Sequence, residues 1–140
     1  MAYSFFDHTG DIGVRLEGST LERLFADAAL AFTDTITDVS TVAAISPHCV
    51  EIASPTLDAL MIDWLDELVY RFEVRNLLVA EADVHVREAA SGWSLEGVLR
   101  GDTFEALRHP IKVLVKGVTY HQLDIRRTPK GWETTVIFDI

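Results

Sequence analysis

Ser54-Pro55-Thr56-Leu57-Asp58-Ala59-Leu60-Met61-Ile62-Asp63-Trp64-Leu65-Asp66-Glu67-Leu68-Val69-Tyr70-Arg71-Phe72 is the stretch on which the fold turns. Leu57, Leu60, Met61, Trp64, Leu65, Leu68, Val69 and Phe72 recur at intervals of three and four, which sets them along one stripe of a helix. Ser54-Pro55 reads as a cap followed by proline at the first helical position. So long a stripe needs a large apolar surface to bury it. Trp64 and Phe72 belong to that stripe and read as core, whereas Glu67 and Glu73 fall off it and read as solvated charges.

Upstream, Ile12-Gly13-Val14-Arg15-Leu16-Glu17 alternates as a half-buried strand and ends at Gly18-Ser19. Ser19 followed three residues later by Glu22 is a capping-box signal, and Leu21, Leu24, Phe25, Ala28, Ala29 and Phe32 share one face of a helix reaching about Thr35. The covering surface comes from strand-like runs. These are 48–52, 77–79, 82–86, 93–99, 111–115, 118–125 and 133–138, with turn signals at Ser91-Gly92 and Pro129-Lys130-Gly131. Strands separated mostly by turns, with two long amphipathic helices near the front, predict an α+β fold. Its mixed, mainly antiparallel β-sheet packs against the two helices, in one domain spanning residues 1–140.

The chain has 140 residues, 49% hydrophobic and 24% charged, enough for a core without covalent staples. Charges break its apolar runs well short of the ~20 residues that a membrane span needs. The N-terminus lacks a signal-peptide pattern, and the single Cys49, in an apolar run, reads as a buried thiol. A cytoplasmic domain, monomeric or a small homo-oligomer, is the expectation. Twenty-two acidic against twelve basic residues give a net charge of −10, which disfavours independent RNA binding; the local basic concentration is Arg126-Arg127 with Lys130.

Two acidic knots stand out. Asp7 and Asp11 lie in Phe6-Asp7-His8-Thr9-Gly10-Asp11-Ile12-Gly13, just before the first apolar run, and Asp139 closes Val136-Ile137-Phe138-Asp139-Ile140. Glycines near Asp11 permit a tight turn or the close approach of another group. If the first and last strands pair, their carboxylates need a compensating cation or strong local hydrogen bonding. Oxygen-rich sites of this sort suit hard cations, calcium tolerating irregular geometry better than magnesium. Turn capping or solvated carboxylates explain the same residues on spacing alone. Asp38, after Thr37, reads as a turn or cap residue that could approach the acidic site from its loop. His8 and His121 are candidate imidazoles for a transition-metal or acid–base site, against plainer roles as a turn cap and a satisfied strand residue. His-Glu-x-x-His, Gly-x-Ser-x-Gly, phosphate-loop and Cys-x-x-Cys signatures are absent from the sequence, which leaves hydrolase and nucleotide-enzyme readings without support.

Five short words, in order from about Tyr3 to Ile140, resemble the archease family: Asp7-His8-Thr9-Gly10-Asp11-Ile12-Gly13-Val14, Thr37-Asp38, Trp64 to Glu73, Val118-Thr119-Tyr120-His121 and Val136 to Ile140. The resemblance implies a small α+β protein that acts as a cofactor of the GTP-dependent tRNA-splicing RNA ligase. In that role it promotes guanylylation of the ligase's histidine and multiple turnover without itself ligating RNA, and RNA is met only through the ligase complex. It further implies a metal site of Asp11, Asp139 and Ile140, the last through a main-chain or terminal oxygen, holding Ca²⁺ or another hard divalent cation. Asp38 is an additional candidate. Gly10 stands where the family usually has alanine and Asp66 where it often has asparagine; neither touches the metal assignment. The readings weighed against this one are a general protein-binding or chaperone-like modulator without ligase specificity, and a small metallohydrolase using His8 or His121.

Overall fold

The computed structural model describes residues 3–8, 10–120 and 123–140, with His8 described through its backbone alone. Its elements in chain order are β1 (Tyr3–His8), β2 (Asp11–Gly18), α1 (Leu21–Ile36), β3 (Ser46–Ser54), α2 (Leu57–Arg75), β4 (Leu77–Ala89), β5 (Gly92–Thr103), β6 (Gly117–Thr119), β7 (Arg126–Thr128) and β8 (Gly131–Asp139). A 3-10 turn at Val39–Thr41 follows α1. The strands form two antiparallel sheets, one ordered β1-β2-β8-β6 with β7 also pairing β8, the other ordered β3-β5-β4. This is the α+β class with two helices that the periodicities predict.

Both helices touch both sheets. The α2 stripe is buried from Leu60 through Val69, with Trp64 at 0% exposure, and Leu57 and Phe72 pack against its margin. The indole Nε1 of Trp64 donates to the Phe25 carbonyl at 2.9 Å, tying α2 to α1 and satisfying the one polar atom of the largest core side chain. On α1, the small Ala28, Ala29 and Ala31 permit close packing, and two polar side chains reach β4, the last strand of its sheet. Thr33 donates to the Val79 carbonyl at 2.7 Å and Glu22 accepts the Val86 amide at 2.9 Å, so helix side chains occupy backbone groups that an edge strand otherwise leaves open.

Several local expectations shift. The α1 cap is Thr20, whose hydroxyl accepts from the Arg23 amide; Glu22 is drawn away to β4, so no Ser19 capping box forms. The α2 cap is Thr56, accepting from Ala59, while Ser54 stays in β3 and donates to Asp63. Cys49 is exposed: Val50 takes the core side of β3, and alternation turns Cys49 outward. Residues 111–115 are irregular rather than a strand, because the Lys112 amide is engaged by the end of α1 at Ile36. Among the described residues of the run 118–125, only Val118 and Thr119 are in a strand, as part of β6, and His121 lies outside the described residues. In the other direction, 77–79 and 82–86 merge into one strand across a bulge at Val79/Glu81, and β1 forms where the sequence reading placed only an acidic knot.

Candidate functional site

The site is built by strand register. Antiparallel pairing of β2 with β8 runs from Gly18↔Trp132 to Asp11↔Asp139, so the first and last long strands pair and their acidic ends are opposite one another. Directly opposed residues of an antiparallel pair project from the same face, and like charges so placed repel. The same row continues on both sides: His8 is the partner of Asp11 on β1, and Gly117 is the partner of Asp139 on β6. The two acidic residues therefore sit at the centre of a four-strand row.

What holds them there is local. Apolar Val14, Leu16, Val136 and Phe138 fix the register by taking the core face, and the Phe138 ring lies 5.9 Å from that of Phe32 on α1. Alternation then leaves Asp139 exposed and Asp11 partly exposed on the other face. Gly10 adopts φ +74 in the turn before β2, a conformation that favours glycine. Gly13 admits the Phe6 ring against its backbone; a Cβ there would overlap that ring, which in turn stacks under Arg15 at 4.5 Å. Both uses of glycine anticipated around Asp11 occur, a tight turn and a close approach. The far strand contributes through the Lys116 amide, which donates to the Asp139 carbonyl at 2.7 Å, and through Gly117, where a Cβ would meet nothing within 4 Å. The row is thus open on its β6 side. Lys116 and Gly117 escape sequence reasoning because their role depends on pairing with β8; a Lys-Gly step before a short apolar run is the one available signal.

The donor set fits a hard cation in kind. Asp11 and Asp139 would offer carboxylate oxygens and Ile140, whose side chain packs on the core, a main-chain oxygen one residue beyond. No group of three or more His, Cys, Asp or Glu side chains that could enclose an ion occurs among the described residues. Asp7 is not part of the row. It pairs with Ile12 and projects from the opposite face, where it lines a groove of about 340 Å³ with Phe5, Ile12, Asp34, Lys112 and Val113.

Asp38 occupies a different local role. It caps the 3-10 turn, its Oδ1 accepting from the Ser40 amide at 3.0 Å and the Ser40 hydroxyl at 2.7 Å. Those two bonds, hydroxyl first, hold its carboxyl below the usual range. This is the cap role expected of a Thr-Asp step, and the sheet register does not bring it into the row of Asp11 and Asp139. The side chain of His8 and all of His121 lie outside the described residues.

Comparison with known proteins supplies the remaining findings. The model of the Archease protein family (MTH1598/TM1083) matches residues 3–140. Protein archease of Methanosarcina acetivorans is 36% identical over 139 residues, covering 99% of this chain and 95% of that protein, and that of Archaeoglobus fulgidus is 36% identical with both chains covered in full. The solution structure of Methanobacterium thermoautotrophicum protein 1598 superposes with a TM-score of 0.84 at 33% identity over 99% of each chain. The crystal structure of an archease from Thermotoga maritima shares the fold, with a TM-score of 0.65 at 15% identity over 96% of this chain and 94% of that one.

Proposed function

Because this chain belongs to the archease family, we propose that it is an accessory activator of the GTP-dependent tRNA-splicing RNA ligase, promoting guanylylation of the ligase's histidine and its multiple turnover in tRNA splicing or RNA repair. The observation that carries this reading is the cross-strand pair Asp11 and Asp139 at an open sheet row. In this role Asp11, Asp139 and a main-chain oxygen of Ile140 hold Ca²⁺ or another hard divalent cation, with Asp38 a further candidate. Such an ion supplies a concentrated positive charge, the property that neutralises phosphate oxygens in nucleotidyl transfer.

The chain's own contribution is positioning. Strand pairing fixes the backbone of both aspartates without a flexible loop, and Gly117 keeps a side chain from covering the row. Ligation and the nucleotide-accepting histidine belong to the partner, and RNA is met through the complex. The net charge of −10 agrees with a protein partner rather than a bare nucleic-acid backbone. No helix among the described residues is long and apolar enough to cross a membrane.

The test is ligase guanylylation under multiple turnover with purified cognate ligase, GTP and a defined divalent ion. Wild-type protein stimulates it; Asp11→Asn and Asp139→Asn, folded by circular dichroism, lose most of that stimulation. Full stimulation by both variants sinks the metal-linked reading. A chaperone-like modulator without ligase specificity instead predicts equal binding of unrelated unfolded proteins and no dependence on either aspartate.

A further inference from the structure

We infer that the free edge of β1 is a docking site that takes an extended, apolar and basic segment of the ligase as an added strand, an inference that rests on the proposed function. β1 is the outermost strand of its sheet, and among the described residues nothing pairs with its other side. Edge strands of natural proteins are normally guarded by lysine, proline or a bulge. Tyr3-Ser4-Phe5-Phe6-Asp7 has none of these and a single charge, Asp7, near one end; its pairing with β2 is unbroken from Tyr3↔Leu16 to His8↔Asp11, and Phe5 is 42% exposed. The groove beside it is walled by Phe5, Ile12 and Val113 and carries the carboxylates of Asp7 and Asp34 against one cation, Lys112, which pairs with Asp34 and leaves Asp7 as the uncompensated charge. An added strand gains main-chain hydrogen bonds from the edge and specificity from a side-chain pocket, and this surface offers both.

Charge selects the occupant. Asp34 already accepts from Tyr3 and from the Val39 amide and lies 3.5 Å from Lys112, so the groove is held in shape from within. Asp7, exposed and in no ion pair among the described residues, adds negative charge at the mouth, which favours a segment with Lys or Arg next to its apolar anchor. A nucleic-acid backbone is disfavoured by the same carboxylates. A second copy is disfavoured because antiparallel pairing about Phe5 sets each Asp7 opposite the Tyr3 end, where Asp34 lies.

The experiment measures ligase affinity and maximal stimulation separately, with hydrogen exchange on the complex. Phe5→Lys introduces a guarding charge at the edge and Asp7→Lys reverses the groove's sign. Each is expected to weaken ligase affinity about tenfold or more while leaving stimulation at saturating protein unchanged, and the amides of Tyr3–Asp7 gain protection when ligase binds wild type. Asp11→Asn and Asp139→Asn behave oppositely, retaining affinity and losing stimulation. Unchanged affinity in both edge variants, unprotected β1 amides, or a wild-type homodimer that Phe5→Lys dissolves overturns the docking assignment, whereas failure of wild type to stimulate the ligase overturns the function on which it rests.

Discussion

Asp11 and Asp139, near opposite ends of the chain, are direct partners across β2 and β8, and the same row reaches Gly117 on β6. Two carboxylates on one face of adjacent strands cost stability unless a cation or donors offset them. In chelator, Asp139→Asn is therefore expected to leave stability unchanged or raise it by about 0.2–1 kcal/mol. If the proposed site binds Ca²⁺, the ion at roughly 100 times its dissociation constant is expected to stabilise wild type by about 2.7 kcal/mol and neither aspartate variant. Urea unfolding with and without the ion checks both arms.

The proposed main-chain ligand at Ile140 has its own test. Deleting Ile140 is expected to weaken Ca²⁺ binding measured by calorimetry, and unchanged affinity contradicts that ligand.

Trp64 joins the two helices through the Phe25 carbonyl. Trp64→Phe keeps most of the apolar volume and removes only this inter-helix bond, the Phe25 carbonyl keeping its place in the α1 ladder, and is expected to cost about 0.5–1.5 kcal/mol. Trp64→Ala adds a cavity, for a total of roughly 3–5 kcal/mol. Denaturant midpoints at constant m-value read the difference.

Asp27 on α1 is 8% exposed, and burial pushes its carboxyl above the usual range, with nearby Arg23 opposing the shift. For a raised carboxyl, the native state holds its proton more tightly than the unfolded chain does. The associated stability is present below the unfolded pKa and lost as pH rises through the folded one. Asp27→Asn should accordingly gain stability relative to wild type on going from pH 3 to pH 7. A constant difference across that range contradicts the assignment.

The two helices were legible because their apolar stripes are local and long, and Trp64 and Phe72 fell where the spacing put them. Their caps were not, since Thr20 and Thr56 compete with Ser19 and Ser54 only one or two residues away, and β4 recruits Glu22 from a distance. Cys49 faces solvent, not the core, and this was not legible because an apolar run does not show which of its residues alternate outward. The stretch 111–115 has strand composition, but the Ile36 carbonyl holds it at α1 instead of in a sheet. Pairing of β2 with β8 was visible as a possibility in the two acidic knots. The roles of β1, Lys116 and Gly117 were not, because they follow from register between distant segments, which periodicity does not encode.

The most direct measurement of the central claim is ligase-histidine guanylylation over many turnovers with a controlled divalent ion, comparing wild type, Asp11→Asn and Asp139→Asn at saturating concentration. The account predicts ion-dependent stimulation by wild type and its near loss in both folded variants. Stimulation that is equal in all three, or indifferent to the ion, contradicts it.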